Sequence, residues 1–234
     1  MHHFFSQEIS DNKIVLSEEE SRHCIKVMRL NIGDEIRVFN GQGQTYMCSI
    51  QTKGKYVEAQ VIEVLQTEDA PKLKLTLAVS PTKSADRMEW MVEKLVEIGV
   101  FRLVFIRTEK GERSRINEKR LVKKAVSALK QSGNLWLPII ETNVNFKDFI
   151  ENESSETKFI AHCFDKDKAQ INRAMLSKSA CILIGPEGDF SVTEVDLATK
   201  AGFQPLSLGL PRYRTETAAI VSSTLINHFN VTLA

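Results

Sequence analysis

The sequence predicts an α/β chain in two parts, a small β-barrel over residues 1–70 and an α/β domain with a mainly parallel sheet over residues 71–234. Three observations carry this. Short strand-like runs broken by turn signals fill the first 65 residues; from Lys72 onward apolar strands alternate with helical patterns; and between them QTEDAPK (66–72) has no periodicity and contains a proline, which marks a linker. At 234 residues, with 42% hydrophobic and 26% charged residues, the chain has the composition of a globular protein able to bury about 70% of its unfolded surface. Disorder, collagen and low complexity are excluded, and no internal repeat is found.

In the first part, EIRVF (35–39), TYMCSI (45–50) and YVEAQVIEVL (56–65) read as strands, separated by NIGDE, NGQGQ and TKGK. One helix interrupts them. Ser17 with Glu20 three positions later reads as a capping box opening SEEESRHCIKVMRL, with Ile25 and Met28 on one face.

In the second part, KLKLTLAV (72–79) is an apolar strand, followed by a helix from about Ser84 to Ile98 with Gly99 as its stop. RLVFI (102–106) is the next strand. A long helix from about Asn117 to Ser132 ends at Gly133, strands follow at KFIAHC (158–163) and ACILI (180–184), and a helix is expected near 168–177. A second capping box, Ser191 with Glu194, opens a helix ending at Gly202, and a last helix runs from about Thr215, its expected N-cap, to Phe229.

Cys24, Cys48, Cys163 and Cys181 are widely spaced without a CxxC pair, and the five histidines form no short-spaced cluster, so we expect buried thiols in a reducing compartment and no metal site. Neither a basic stretch followed by an apolar run nor a span of some 18 apolar residues is seen. The expectation is therefore a soluble, cytoplasmic protein without a membrane partner.

The formal net charge of +1 hides a strong asymmetry. Residues 1–70 hold 7 Lys+Arg against 11 Asp+Glu, whereas residues 107–130 hold 9 basic against 3 acidic. Part of that basic segment is a helix with Leu121, Ala125, Val126 and Leu129 inside, which places its cations on the outer face and suits a phosphate backbone. Arg113, Lys123 and Lys124 are the candidates for phosphate contact there; Arg22, Lys26 and Arg29 are those of the acidic first part.

Two loops carry candidate chemistry. In ACILIGPEGDFSVTE (180–194), a glycine turn follows an apolar strand and precedes a capped helix, the place where open α/β sheets bind ligands. It has neither GxGxxG nor GxxxxGK[ST] spacing, so a nicotinamide or nucleoside triphosphate is not supported. In PLSLGLPRYRTETAAIV (205–221), Arg212 and Arg214 sit at the positive end of a helix dipole, where a cation gains nothing locally and calls for an anionic or carbonyl partner.

Gly185-Pro186-Glu187-Gly188 with Phe190-Ser191 and Glu194, followed by Leu208-Gly209 and Arg214-Thr215-Glu216-Thr217-Ala218, closely resembles the RsmE family of 16S ribosomal RNA uridine N3-methyltransferases, of the SPOUT class. The resemblance runs the length of the chain. His23, Val27-Met28-Arg29-Leu30, Gly33-Asp34 and Val38-Phe39-Asn40-Gly41 look like that family's PUA-like barrel. Lys83, Met88-Glu89-Trp90, Lys94, Glu97-Ile98-Gly99-Val100, Glu112-Arg113-Ser114, Gln131-Ser132 and Pro138 match its catalytic domain, though Gly133-Asn134 stand where the family often has a basic residue.

The resemblance implies a SPOUT domain with a carboxyl-terminal trefoil knot, S-adenosylmethionine as cofactor, a homodimer with its active site near the interface, and 16S rRNA of the small ribosomal subunit as substrate. By position, Gly185, Pro186, Glu187 and Gly188 with Leu208, Gly209 and Leu210 would cradle the adenosyl group, Arg214, Thr215, Glu216, Thr217 and Ala218 would close the site, and His162 would come from a third strand end. Arg214 is the choice for stabilising a uracil anion; Glu187 and Glu216 could be bases, but hydrogen bonding in the loop and helix N-terminal charge account for them equally well. A non-catalytic RNA-binding or assembly protein, and a SPOUT methyltransferase with another RNA target, are the alternatives.

Overall fold

The computed structural model describes residues 1–111, 116–164, 168–172, 175 and 177–231. Two compact units make up the chain: Met1–Ala70 with Val126–Leu137, and Pro71–Ala125 with Pro138–Ala234.

In the first unit six strands form one sheet. They are β1 (His2–Phe5), β2 (Ile9–Ser10), β3 (Lys13–Val15), β4 (Glu35–Phe39), β5 (Gln44–Thr52) and β6 (Glu58–Thr67), in the order β1-β4-β5-β6-β3-β2. The period of two is plain: Ile36 and Val38 on β4, and Tyr46, Cys48 and Ile50 on β5, point inward with Phe4, Ile14, Leu16, Val57 and Ala59. β1 to β3 were not legible in the sequence, because each is at most four residues long.

Helix α1 (Glu18–Arg22) starts at Ser17, whose hydroxyl accepts the Glu20 N–H at 3.3 Å. The expected capping box is only half made. The Glu20 carboxylate accepts instead from the Phe5 N–H at 3.2 Å and from Lys130 Nζ at 2.6 Å, both stronger demands than the cap. The expected single helix to Leu30 also ends early: one π-helical turn (His23–Val27) follows α1, and Arg29 turns left-handed at φ 57°. Ile25 and Met28 pack against the core with buried Cys24.

Residues 126–137 join this unit through main-chain bonds from Gly43 N–H to Leu135 C=O (2.9 Å) and from Leu137 N–H to Gly41 C=O (3.0 Å). The approach demands glycine: a Cβ on Gly43 would lie 2.5 Å from the Glu68 carbonyl and 2.7 Å from the Trp136 ring.

The second unit is built on a seven-stranded sheet in which every pair is parallel: β7 (Lys74–Val79), β8 (Arg102–Arg107), β9 (Ile139–Asn145), β10 (Thr157–Ala161), β11 (Ala169–Gln170), β12 (Ser179–Ile184) and β13 (Gln204–Ser207). Their order is β11-β13-β10-β12-β7-β8-β9. The chain thus builds outward from β7 to β9, then returns to the other side of β7, which is a topological switch point. Leu75, Leu77, Val104, Ile106, Ile160 and Leu183 are wholly buried, as strands covered on both faces must be.

Helices α2 (Ala85–Ile98), α3 (Glu118–Ser132), α4 (Phe146–Asn152), α5 (Val192–Lys200) and α6 (Thr215–Val231) connect the strands. Ser84 caps α2, which stops at left-handed Gly99, and the Ser191–Glu194 box at α5 is complete. The helix expected near 168–177 is not formed at its start: Ala169 and Gln170 pair with Leu206 and Ser207 as strand β11, because a free strand edge on β13 is there to receive them. Residues 173, 174 and 176 lie outside the described residues.

Cys24, Cys48 and Cys181 are buried, and burial pushes the first two thiols up to about 11 and about 12. Cys163 departs from the expectation: it is exposed, because β10 ends at Ala161 and leaves it on the rim of the sheet. Among the described residues no helix is long and apolar enough to cross a membrane, and no group of three or more His, Cys, Asp or Glu side chains could hold a metal ion.

At the amino-terminal ends of β8 and β9, Arg102 forks onto Glu141 (2.6 and 3.2 Å) and donates to Glu153 at 3.0 Å, while stacking over Phe149. The Glu153 side chain is 3% exposed. Arg102→Ala leaves that carboxylate buried without its counter-charge, and urea unfolding should show a loss of about 3 kcal/mol.

Candidate active site

β12 runs apolar to Ile184 and then breaks at Gly185, where a Cβ would meet the buried Phe190 ring at 3.1–3.2 Å. The turn that follows is tied from several sides. Thr215 donates its hydroxyl to the Gly185 carbonyl (3.0 Å), Asp189 N–H donates to the Pro186 carbonyl (2.9 Å), and Lys110 Nζ reaches the carbonyls of Gly188 (3.3 Å) and Phe190 (3.4 Å). Glu194 completes the α5 cap at Ser191 N–H and also accepts the Glu109 N–H at 2.8 Å.

Beside it, β13 ends in Ser207 and the loop through left-handed Gly209 (φ 116°), whose N–H donates to the Ser207 hydroxyl at 3.3 Å. Helix α6 starts at Thr215, and its first turn closes on the Arg214 carbonyl, which accepts the Ala218 N–H at 2.8 Å. The expected N-cap at Thr215 is therefore one residue late, its hydroxyl being taken by Gly185.

These strand ends enclose a cavity of about 410 Å³, the size of a small-ligand site. Its walls include the expected His162, Gly185, Pro186 and Glu187, Leu208, Gly209 and Leu210, and Thr215 and Ala218. Gly188, Arg214, Glu216 and Thr217 do not line it. Glu216 is buried with its Oε1 3.7 Å from Arg87 Nε, toward α2, and Arg214 is exposed on the flank of α6. Arg212, which the sequence marked as a cation calling for an anionic or carbonyl partner, and Cys163, next to His162 at the same strand end, also line the cavity; sequence reasoning missed Lys168, Asp189 and Tyr213, which join them. Arg212 and Arg214 stand two positions apart before α6, and of the two it is Arg212 that lines the cavity.

Arg22, Lys26 and Arg29 are exposed on α1 and the turn after it, with no ion-pair partner among the described residues, and exposed Val27 and Ile32 accompany them. Arg113 lies outside the described residues. On α3 the cations meet an acidic stripe of α2: Lys124 Nζ is 2.5 Å from Glu93, and Arg120 pairs with Glu89 and Asp86. The ammonium groups of Lys124 and Lys94 hold the Glu93 carboxyl below the usual carboxylate range. Lys123 is exposed.

Comparison with known proteins places these features. The RNA methyltransferase domain family matches residues 68–227, and the RNA methyltransferase PUA domain family matches residues 16–62. "Ribosomal RNA small subunit methyltransferase E" of Mesomycoplasma hyopneumoniae is 30% identical, covering 94% of this chain and 96% of its own; that of Aquifex aeolicus is 29% identical, covering 98% and 100%. The chain belongs to the RsmE family. This RsmE fold superposes on a probable rRNA-methyltransferase from Porphyromonas gingivalis with TM-score 0.87 at 35% identity over 100% of both chains. It also superposes on ribosomal RNA small subunit methyltransferase E from Neisseria gonorrhoeae, bound to S-adenosyl methionine, with TM-score 0.84 at 26% identity over 97% of both.

Because Cys163 alone of the four thiols is exposed, this RsmE chain should react rapidly with one equivalent of a thiol reagent at pH 8. The other three should react only on unfolding; peptide mapping of the labelled protein checks the position.

Proposed function

We propose that this protein transfers a methyl group from S-adenosylmethionine to N3 of a uridine in 16S ribosomal RNA of the small ribosomal subunit. The observation that carries the reading is the cavity of about 410 Å³ at the carboxyl ends of β10, β12 and β13, in a chain of the RsmE family. The cavity fits the cofactor's chemistry. Its glycine turns bring main chain close to the ligand space without a side chain in the way, and Leu206, Leu208 and Ala218 supply apolar wall. Glu187 supplies negative charge against a cationic ligand.

When bound, the cofactor supplies a methyl group on a sulfonium, open to in-line displacement by a ring nitrogen. Uridine N3 carries a proton and attacks only as that proton leaves, so the chain must favour the uracil anion. Arg214 is our candidate. Its side chain is exposed and without an ion-pair partner among the described residues, one residue from cavity-lining Thr215. Arg212, in the cavity wall itself, is placed to hold a carbonyl oxygen or phosphate of the substrate.

Residues 1–70 are read as the PUA-like RNA-binding domain and 71–234 as the SPOUT catalytic domain, with the segment from β12 to α6 tied in the trefoil knot that the family resemblance implies. The same resemblance implies a homodimer acting in the cytoplasm; sedimentation at twice the chain mass tests the dimer. RNA is gripped through Arg22, Lys26 and Arg29, with Arg113, Lys123 and Lys124 as a second contact in which RNA phosphates compete with Glu93 for Lys124.

Incubation of the protein with labelled cofactor and small subunits lacking the modification should place label on N3 of one 16S uridine; binding of the cofactor with label on another atom would overturn the assignment of position. Arg214→Ala should lower kcat by about 100-fold with little change in cofactor affinity, and equal losses would mean that it only holds the loop. Replacing Arg22 and Lys26 by Gln should reduce the slope of log affinity for RNA against log salt by about 1.5, read by filter binding from 50 to 300 mM salt at roughly the ionic strengths where such slopes are measured.

A further inference from the structure

Asp189 holds left-handed backbone at φ 62°, a conformation that Asp and Asn tolerate better than other side chains with a Cβ. Its carboxylate is divided between two main-chain donors: Oδ2 accepts the Cys163 N–H at 2.8 Å and Oδ1 accepts the Phe190 N–H at 2.8 Å. Cys163 follows β10, and Asp189 follows β12. The ladder between those strands stops at Ala161 opposite Ile184, so beyond it the Asp189 side chain is the hydrogen-bonded link between the two strand ends. Both ends of this link, Cys163 and Asp189, line the cavity, and His162 lies between the ladder and the link.

The loop carrying Asp189 is itself pinned. Lys110, from the end of β8, donates to the carbonyls on either side of it, and its own N–H is held by Pro186. The carboxylate is therefore a fixed point, and the segment after β10 is what it positions. A charged acceptor on a main-chain N–H is about twice as strong as a neutral one, enough to hold a short exposed segment in one arrangement.

We propose that Asp189 is a positioning residue for the cofactor. It clamps the backbone of His162 and Cys163 against the Gly185–Gly188 turn, so that the cavity is formed before the cofactor arrives and the ordering of that wall is not charged against binding. The inference rests on reading the cavity as the S-adenosylmethionine site.

The test compares wild type with Asp189→Gly, which keeps the left-handed backbone without strain and deletes the clamp, and with Asp189→Asn, whose side-chain oxygen can still accept from Cys163. Asp189→Gly should raise the KM and calorimetric Kd for S-adenosylmethionine by about tenfold, the worth of one charge-assisted hydrogen bond. Its kcat at saturating cofactor should fall far less than its cofactor affinity. Labelling of the Cys163 thiol, a readout needing no cofactor, should speed up in Asp189→Gly and return toward the wild-type rate in Asp189→Asn. Wild-type affinity and labelling rate in Asp189→Gly would overturn the clamp. So would a large fall in Tm with kcat and KM lost together in both variants, which would mark a structural role. Failure of the wild-type protein itself to bind the cofactor would instead overturn the reading of the cavity, and the inference with it.

Discussion

Seven parallel strands put all their carboxyl ends on one edge of the sheet, and every functional feature of the second unit follows from that constraint. A parallel strand leaves its edge through a turn that must satisfy main-chain groups the ladder no longer pairs. In this chain the satisfaction comes from side chains of neighbouring loops and helix starts: Thr215 for Gly185, Asp189 for Cys163, Lys110 for Gly188 and Phe190, Glu194 for Glu109. The same stitching that closes the hydrogen-bond account of the edge also shapes a concave wall. Where the strand order reverses between β7 and β12, the turns diverge, and the cavity opens beside that point.

The alternation of apolar strands and periodic helices made the parallel sheet legible, and the glycines of 185–188 and 209 with the Ser191–Glu194 box marked where the edge turns. What stayed hidden was set by tertiary partners. Ile139–Asn145 forms an edge strand of mixed polarity, with no periodic signal, and pairs only because β8 offers its side. Asp189 carried no signal in the sequence, since its carboxylate serves an amide 26 positions away. Arg214 and Glu216 were grouped with the cavity by their motif, yet a helix turns about 100° per residue, which sends Glu216 toward Arg87 while Thr215 and Ala218 face the ligand space.

Charge counting illustrates the same limit. The excess of cations in residues 107–130 suggested an open basic face, but the facing stripe of Asp86, Glu89 and Glu93 on α2 neutralises Arg120 and Lys124. Solvent-exposed pairs of this kind contribute roughly 0–1 kcal/mol each, so they add little stability and give way readily to a polyanion. The cations after α1 differ in kind. Among the described residues Arg22, Lys26 and Arg29 have no ion-pair partner, although residues 1–70 hold more acidic than basic side chains. A negative domain can thus present a positive contact at the one place where its helix turns back into the sheet.

Arg212 and Arg214 raise the opposite question, why cations stand where the field of a helix repels them. The α6 N-terminus carries a partial positive charge, and a nearby guanidinium is disfavoured by a few tenths of a kcal/mol to about 1 kcal/mol when exposed. Buried Glu216 in the first turn offsets part of this, since a carboxylate there is favoured by the same dipole. Its Oε1 lies 3.7 Å from Arg87 Nε, and among the described residues neither Arg212 nor Arg214 has an ion-pair partner. Two arginines without an ion-pair partner among the described residues thus stand beside a positive helix end and a cavity, a concentration of charge that an incoming anionic ligand relieves. Under the proposed function, a uracil losing its N3 proton is such a ligand, and it becomes one only as the reaction proceeds; on that reading the relief is greatest at the transition state, where it would accelerate the chemistry.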